Sequence, residues 1–230
     1  MNHDQPAYDE IADWYEHEFL GAPTLDPENP AADPIGIYAA LTQLLGTGNT
    51  RCVEIGCGTG VYAPWLRRRG WEPVGFDISS GMLRYAATRL PVARADVAHL
   101  PLGTSSVDAA VGVMVHTDMS SYPTVLREIA RVLRPGGVYV HVGVHPCFCG
   151  GFADRTDPEA IVIASGYIDG HWTKASYTDR GVRNRVGATH FPLPDLLGAF
   201  LSAGLAFEEF AEGGRPTPTV LAARVRKPAS

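Results

Sequence analysis

A glycine-rich loop, Glu54-Ile55-Gly56-Cys57-Gly58-Thr59-Gly60, is the first segment whose residue types and spacing could do chemistry. Glycine lets the main chain approach a ligand closely and permits the positive φ that a tight strand-to-helix turn needs. The N–H groups at the start of the following helix form an electron-poor site. A dinucleotide-binding fingerprint needs its third glycine one place later, where this chain has Val61, so the spacing argues against a nicotinamide cofactor.

Acidic residues end three successive predicted strands: Glu54, Asp77 and Asp96. Asp77 lies about 20 residues beyond the loop, where a carboxylate that accepts from both ribose hydroxyls belongs. Asp96 is placed to accept from an exocyclic adenine amine. Each acid alone could instead be a helix cap or a loop residue. Their recurrence at successive strand ends weakens that structural interpretation.

Histidines are the candidates for proton transfer, because imidazole titrates near neutral pH. His116 follows the fourth predicted strand and His145 follows the fifth. Both are therefore placed at the end of the sheet where ligands bind. We expect His145 or His116 to contact the reacting molecule as a catalytic residue, with a structural hydrogen bond as the alternative for either.

Strands and helices alternate along the middle of the chain, which positions these residues. The strands predicted here are residues 52–55, 73–77, 92–96, 107–115 and 138–144. A helix over 124–133 precedes the fifth strand, with Pro135-Gly136-Gly137 as the turn. Such alternation indicates a parallel sheet with helices on both faces, whose ligands bind at the carboxyl ends of the strands.

The flanking segments are less regular. Helices are predicted over 8–20 and 35–45, separated by a Pro-rich loop at 22–34. The pattern breaks from 144 to about 190, and a loop this long in a compact domain is usually functional. A helix from Pro194 to Gly204 and two strands, at 205–210 and 219–225, complete the sheet.

Composition excludes several classes of protein. The 230 residues carry a net charge of −6 without a basic run beyond Arg67-Arg68-Arg69, so a nucleic-acid partner is not expected. No stretch approaches the roughly 20 apolar residues that span a bilayer, and the first residues lack the features of a signal peptide, which favours a cytoplasmic protein. Cys147-x-Cys149 does not have the spacing of a structural zinc site, and nothing fixes Asp118 or Asp154 as ligands, so no metal is predicted.

Taken in order, these motifs resemble the class I S-adenosylmethionine-dependent methyltransferases. The resemblance is closest to the small-molecule branch with the ubiquinone/menaquinone-type methyltransferase domain. The matching segments are residues 53–60, 75–79 with Met82, 95–97 with Leu100-Pro101, and 126–137. It implies a Rossmann-like α/β fold with a seven-stranded, mostly parallel sheet, helices on both faces, an N-terminal helical lid and an insertion after the fifth strand. One domain would span 1–230, with the helical cap in 1–46 and an acceptor-binding insertion in 145–190.

The resemblance also implies a cofactor, S-adenosyl-L-methionine, which leaves as S-adenosyl-L-homocysteine. Gly56 and Gly58 would pack on its methionine part, and Asp77 would bind its ribose. An N-terminal helix would lid the cofactor. The full set of predicted cofactor residues is Tyr15, Glu54, Gly56, Cys57, Gly58, Asp77, Ile78, Met82, Asp96, Val97 and Met114.

The function implied is in-line methyl transfer to O, N or C of a small, aromatic or heterocyclic acceptor. The partner would be this small molecule, with no nucleic acid or membrane, and the protein a monomer or homodimer. The predicted substrate-binding residues are Trp14, His171, Trp172 and Tyr177. Plain core packing is the alternative for the aromatic residues. The alternative function is a protein of this fold that binds the cofactor but performs cyclisation, decarboxylation or no catalysis.

Overall fold

The computed structural model describes residues 6–21, 33–157, 159–174 and 181–229. Eleven strands occur within these residues. They are β1 Arg51–Ile55, β2 Glu72–Asp77, β3 Val92–Arg94, β4 Val107–Val113, β5 Leu133–Val144, β6 Ala153–Asp154, β7 Val162–Ile163, β8 Trp172–Thr173, β9 Ala188–Thr189, β10 Ala206–Gly213 and β11 Val220–Arg226.

The α-helices of the described residues occupy the connections. They are α1 Ala12–Trp14, α2 Ile37–Leu44, α3 Ala63–Arg68, α4 Ser80–Ala86, α5 Tyr122–Val132, α6 Val182–Val186 and α7 Leu193–Ser202. None of these helices is long and apolar enough to cross a membrane.

Seven of the described strands form one sheet in the order β10-β11-β5-β4-β1-β2-β3. β1 pairs in parallel with β2 and β4, β4 with β5, and β2 with β3. β11 is antiparallel to both of its neighbours, β5 and β10. The predicted Rossmann-like α/β class, with a seven-stranded and mostly parallel sheet, is confirmed.

The core lies on both faces of this sheet because successive strand side chains point to opposite sides. Val53 and Ile55 of β1 belong to the cluster that contains α5 and α7. Cys52, which precedes Val53 and points to the other side, belongs to the cluster that contains α2 and Trp65 of α3. Each fully buried aliphatic side chain contributes roughly 1.5–3 kcal/mol to stability. The two-sided burial explains why β4 is apolar along almost its whole length.

The N-terminal segment is more broken than the single helix predicted over 8–20. A 3-10 turn at Ala7–Asp9 precedes α1, and a π-helical turn at Tyr15–Phe19 follows it. Asp9 accepts hydrogen bonds from Ser79 Oγ at 2.5 Å and from the Gly81 amide at 2.8 Å. These bonds attach the segment to α4, and π-helical turns are frequent at functional sites.

The fifth strand begins earlier than predicted, because Pro135-Gly136-Gly137 is not a turn outside the sheet. Val107 pairs with Leu133, and Ala109 pairs with Val138, so the intervening residues bulge within β5. Gly136 has a φ of +80°, which supplies the backbone conformation that the bulge requires. The third strand ends at Arg94, so Asp96 lies in the loop that follows rather than in the strand.

The region after β5 contains short elements only. β6 and β7 form one small antiparallel pair, and β8 and β9 form another. The helix α6 lies immediately before β9 in the chain. The division of the chain into a cap, a single domain and an insertion stays a prediction.

Candidate functional site

The glycine-rich loop connects the carboxyl end of β1 to α3. Gly56 has a φ of +61°, and a Cβ atom there would lie 2.8 Å from Val115 Cγ1. Gly58 has a φ of +54°, but no atom of the described residues lies within 4 Å of a Cβ placed there. Close packing therefore requires glycine at position 56, whereas Gly58 faces open space that a ligand can fill.

Asp77, the last residue of β2, fixes the shape of this loop. Its Oδ2 accepts a hydrogen bond from the Gly58 amide at 2.8 Å, and its Oδ1 accepts from the Ser79 amide at 2.9 Å. Burial raises the pKa of this carboxyl, while the backbone donors lower it. Each carboxylate oxygen can accept more than one hydrogen bond, so Asp77 retains capacity for ligand hydroxyls.

A cavity of about 380 Å³ lies beside the loop. Its walls come from the carboxyl ends of β1, β2 and β4 and from the N-terminal segment, which is where a parallel sheet binds its ligands. The lining residues are Pro6, Ala7, Tyr8, Tyr15, Gly56, Gly58, Asp77, Ile78, Met82, Val113, Met114, Val115, Asp118, Met119 and Val186. The predicted cofactor residues among them are Tyr15, Gly56, Gly58, Asp77, Ile78, Met82 and Met114.

The other predicted cofactor residues do not line this cavity. Glu54 and Cys57 are buried, and Val97 belongs to the hydrophobic core. The Asp96 side chain is 54% exposed, and its Oδ1 accepts from the Ala98 amide at 2.9 Å. That bond stabilises a loop, so the contact of Asp96 with adenine stays a prediction.

Glu54 is a buried carboxyl with an unsatisfied oxygen. The residue is 2% exposed, and no described residue forms a hydrogen bond with Oε2. Burial, and to a smaller extent the neighbouring Asp77 carboxylate, raises the pKa of Glu54 to about 8. A buried carboxylate without a partner is costly, so this oxygen requires either a proton or a cationic donor from a ligand.

The N-terminal segment covers the cavity and is tied down on two sides. On one side Asp9 accepts a hydrogen bond from Ser79 at the start of α4, and Glu16 forms an ion pair with Arg89. On the other side the Arg185 guanidinium lies 4.0 Å from the centre of the Trp14 ring. The segment is therefore held between α4 and α6, which suits a cover that excludes water from the cavity.

The two predicted catalytic histidines are absent from the walls of this cavity. His116 is 1% exposed, its ring centre is 5.0 Å from that of His141, and burial lowers its pKa. His145 Nε2 lies 2.9 Å from Glu212 Oε1. His145 lines a second cavity of about 570 Å³ together with Cys147, Phe148, Leu193, Leu197, Phe210, Ala211, Glu212 and Leu221. Neither histidine lines the cavity beside the loop, and their catalytic roles stay predictions.

The predicted substrate-binding residues are spread over the cover and the region after β5. Trp14 is half-buried against Arg185. His171 is exposed, and its Nδ1 lies 2.5 Å from the Asp169 carbonyl oxygen. Trp172 is 59% exposed and packs on Gly187. Tyr177 lies outside the described residues. The three described members of this set do not line the cavity beside the loop, so their contact with an acceptor stays a prediction.

Sequence reasoning missed an ion pair at the cavity wall. Asp118 lines the cavity, and the Arg183 guanidinium, which is buried, donates to Asp118 Oδ1. Tyr8 OH donates to the same oxygen at 3.1 Å. The position of Asp118 just beyond β4 is a sequence feature that could have indicated a residue of the site. The irregular segment around Arg183 contains no such feature. Within the described residues no cluster of three or more potential metal ligands occurs.

The sequence matches a known domain over the region that builds this site. Residues 53–141 match the methyltransferase domain family. A malonyl-[acyl-carrier protein] O-methyltransferase from Serratia marcescens is 33% identical over 103 residues, which cover 42% of this chain and 40% of that protein. Matches to the first curated relatives span between 18% and 40% of their lengths.

Solved structures share the fold over most of their length. An S-adenosylmethionine-dependent methyltransferase from Mesorhizobium loti has a TM-score of 0.70 at 23% identity, covering 83% of this chain and 97% of that one. The [4+2]-cyclase SpnF has a TM-score of 0.69 at 18% identity, and the match covers 97% of this chain and 95% of SpnF. The matching domain, the shared fold and the loop with its cavity agree: residues 53–141 match a methyltransferase domain, and the chain has the fold of S-adenosylmethionine-dependent methyltransferases.

Proposed function

We propose that this protein transfers the methyl group of S-adenosyl-L-methionine to a small molecule and releases S-adenosyl-L-homocysteine. One observation carries the proposal. The cavity beside the glycine-rich loop is lined together by Gly56 and Gly58, by Asp77 and Ile78, and by Met82. A backbone cradle, a carboxylate for ribose hydroxyls and an apolar wall for a purine are the groups that this cofactor needs.

Two features of the chain fit the cofactor. The unsatisfied Glu54 Oε2 is suited to the ammonium group of its methionine part, because that cation would supply the missing donor. The space in front of Gly58, which a side chain at this position would fill, is open to the cofactor. Gly58 and Glu54 would therefore hold the methionine part, and Asp77 the ribose.

When bound, the cofactor supplies a methyl group already activated on a sulfonium. The protein's task is then to orient the acceptor and exclude water. Holding reactants in line is worth roughly 7–11 kcal/mol in well-oriented systems. Tyr8 and Tyr15 of the N-terminal segment contact each other and line the cavity, where this segment would limit the access of bulk water to the reacting atoms.

The acceptor belongs on the side of the cavity that faces the region after β5, which Val186 of α6 reaches. Trp14, His171 and Trp172 are the aromatic residues of the proposed acceptor wall, in keeping with a small aromatic or heterocyclic molecule. A cytoplasmic location, a monomeric or homodimeric state and the lack of a nucleic-acid partner are part of this proposal.

Calorimetry with S-adenosyl-L-homocysteine and with NAD tests the cofactor. Binding of the sulfur compound and no response to NAD is expected. A matched pair of variants sharpens the test, because Gly58 and Gly136 both have positive φ and both leave a new Cβ without contacts within 4 Å. Gly58→Ala should abolish binding, whereas Gly136→Ala, in the bulge of β5, should lose only about 1–2 kcal/mol of stability. Equal binding by both variants would contradict the site.

Product analysis separates transfer from other uses of the cofactor. With a labelled methyl donor, transfer places the label in the acceptor. Conversion of a substrate while the label stays on the intact donor would instead identify non-transfer chemistry such as cyclisation.

A further inference from the structure

Asp118, on one wall of the cavity beside the glycine-rich loop, has two carboxylate oxygens that differ in their hydrogen bonds. Asp118 Oδ1 accepts from Tyr8 OH at 3.1 Å and from Arg183 Nη1. No described residue donates to Oδ2. The Asp118 side chain is only 19% exposed, although the residue as a whole is exposed. Among the described residues, Tyr8 and Arg183 thus hold one oxygen, and the other is open to a ligand.

Arg183 binds the Asp118 carboxylate from the side that faces away from the cavity. Its Nη1 also donates to the Gly187 carbonyl at 3.3 Å, and its Nη2 donates to Thr117 Oγ1 at 2.8 Å. The guanidinium is 6% exposed and does not line the cavity. Arg183 therefore neutralises and orients Asp118 without presenting a cation to the ligand.

The charges of the cavity restrict what can bind there. Its titratable lining residues are Tyr8, Tyr15, Asp77 and Asp118. No arginine, lysine or histidine lines it among the described residues, so none of these residues supplies a counterion for a carboxylate ligand. Because Arg183 already balances Asp118, an ammonium group gains little at this wall. An uncharged hydrogen-bond donor is the group that Oδ2 suits best.

Asp118 also lies near the glycine-rich loop. Met119, the next residue, brings its Cε to 3.1 Å from a Cβ placed on Gly56. Asp77 and Asp118 line the same cavity, and burial first, with the Asp118 carboxylate as a smaller cause, raises the pKa of Asp77. The Asp118 wall and the glycine-rich loop therefore face a common space.

We propose that Asp118 binds the acceptor through an uncharged hydroxyl group and removes its proton, so that the protein is an O-methyltransferase of alcohols or phenols. This inference rests on the proposed function. The hydroxyl proton moves to Asp118 Oδ2 as the acceptor oxygen forms the new C–O bond, and the electron pair of the broken C–S bond remains on sulfur. Asp118 then loses the proton to water. Arg183 and Tyr8 are positioning residues in this step.

The state of the carboxyl agrees with this role. Burial raises the pKa of Asp118, and Arg183 lowers it. A base works best when its pKa approaches the working pH, so burial improves Asp118 as a base. Removal of the Arg183 charge should raise the pKa further and move the acid limb of the kcat/KM profile to higher pH.

The experiment compares Asp118→Asn with Asp108→Asn, which breaks a second Asp–Arg pair remote from the cavity, where Asp108 Oδ1 accepts from Arg134 at 2.7 Å. Binding of 4-methylphenol and 4-methylbenzoate to the S-adenosyl-L-homocysteine complex is followed by saturation-transfer NMR. Transfer of labelled methyl to a library of alcohols, phenols, amines and carboxylates is measured in parallel. Calorimetry with S-adenosyl-L-homocysteine shows whether each variant keeps its fold and cofactor site.

We expect the phenol to bind and the benzoate not to bind. Asp118→Asn should retain its affinity for S-adenosyl-L-homocysteine but lose phenol binding and about 10²–10⁴-fold in kcat/KM towards hydroxyl acceptors. Asp108→Asn should behave as wild type. Arg183→Met should shift the acid limb of the pH profile upwards, and Arg183→Lys should restore it in part.

Several outcomes would overturn the inference while leaving the proposed function intact. These are esters or methylamines as the labelled products, binding of neither probe, unchanged kcat/KM in Asp118→Asn, or an unshifted acid limb in Arg183→Met. The proposed function itself fails in a different way, namely if the wild-type chain binds no S-adenosyl-L-homocysteine.

Discussion

Replacing Glu54 with glutamine should change how the stability of the ligand-free protein depends on pH. Burial raises the pKa of this carboxyl from its ordinary 4.5 to about 8 in the folded chain. Between these values the folded chain holds a proton that the unfolded chain has lost. The contribution of Glu54 to the free energy of unfolding is therefore fully present below about pH 4.5 and is lost as the pH rises to about 8.

The size of the effect follows from the difference between the two pKa values. Each pKa unit corresponds to about 1.4 kcal/mol, so the full shift is worth about 5 kcal/mol, of which about 4 kcal/mol is lost between pH 5 and pH 9. The Glu54→Gln variant carries an amide that does not titrate, and its stability should fall far less over this range. Urea unfolding at pH 5, 7 and 9 measures the difference. Glu72→Gln, which replaces an exposed carboxyl at the start of β2, is the control and should keep the wild-type slope.

The same carboxyl should couple cofactor binding to proton release. If Glu54 pairs with the ammonium group of the ligand, it must ionise on binding. Wild-type protein should therefore release about one proton per S-adenosyl-L-homocysteine at pH 7, and Glu54→Gln should release none. Calorimetry in two buffers of different ionisation enthalpy measures this quantity. Parallel stability curves and equal proton release for wild type and Glu54→Gln would refute the reasoning.

Three further predictions follow from the contacts around the site. Asp77→Asn should weaken S-adenosyl-L-homocysteine binding by about 1.5–3 kcal/mol, because the amide cannot accept from both backbone donors; calorimetry against Asp108→Asn measures the loss. Ser79→Ala should lower the free energy of unfolding by about 1 kcal/mol, because Ser79 Oγ accepts a hydrogen bond from the Met82 amide at the start of α4. Thermal unfolding measures this loss, with Ser80→Ala as the control. Alanine at His116 or His145 should leave cofactor affinity unchanged, since neither lines the cavity; a fall in turnover would support the predicted acceptor contact, and unchanged turnover would remove that residue from the mechanism.

The parts of the fold that were predicted correctly depend on local signals. The alternation of apolar strands with helices can be predicted from short stretches of sequence, because periodicity and turn residues act over a few positions. The same holds for the loop after β1 and for Asp77 at the end of β2, whose side chain meets Gly58 across neighbouring parallel strands. Elements whose geometry depends on contacts elsewhere were predicted less well. The bulge in β5 and the broken N-terminal helix both follow from pairing with distant residues.

The fold class, the positions of the first five strands along the chain and seven of the fifteen residues that line the cavity could be predicted from the amino-acid sequence, because each of these follows from spacing along one segment. Which polar side chains face that cavity depends instead on how distant segments pack together. The pairing of Arg183 with Asp118 joins residues that are 65 positions apart, and the bond from Tyr8 to Asp118 spans 110. His116 and His145 follow the expected strands, yet packing turns one into the core and the other towards Glu212. A residue's position on a strand is a local property, whereas its partners depend on how distant segments pack together.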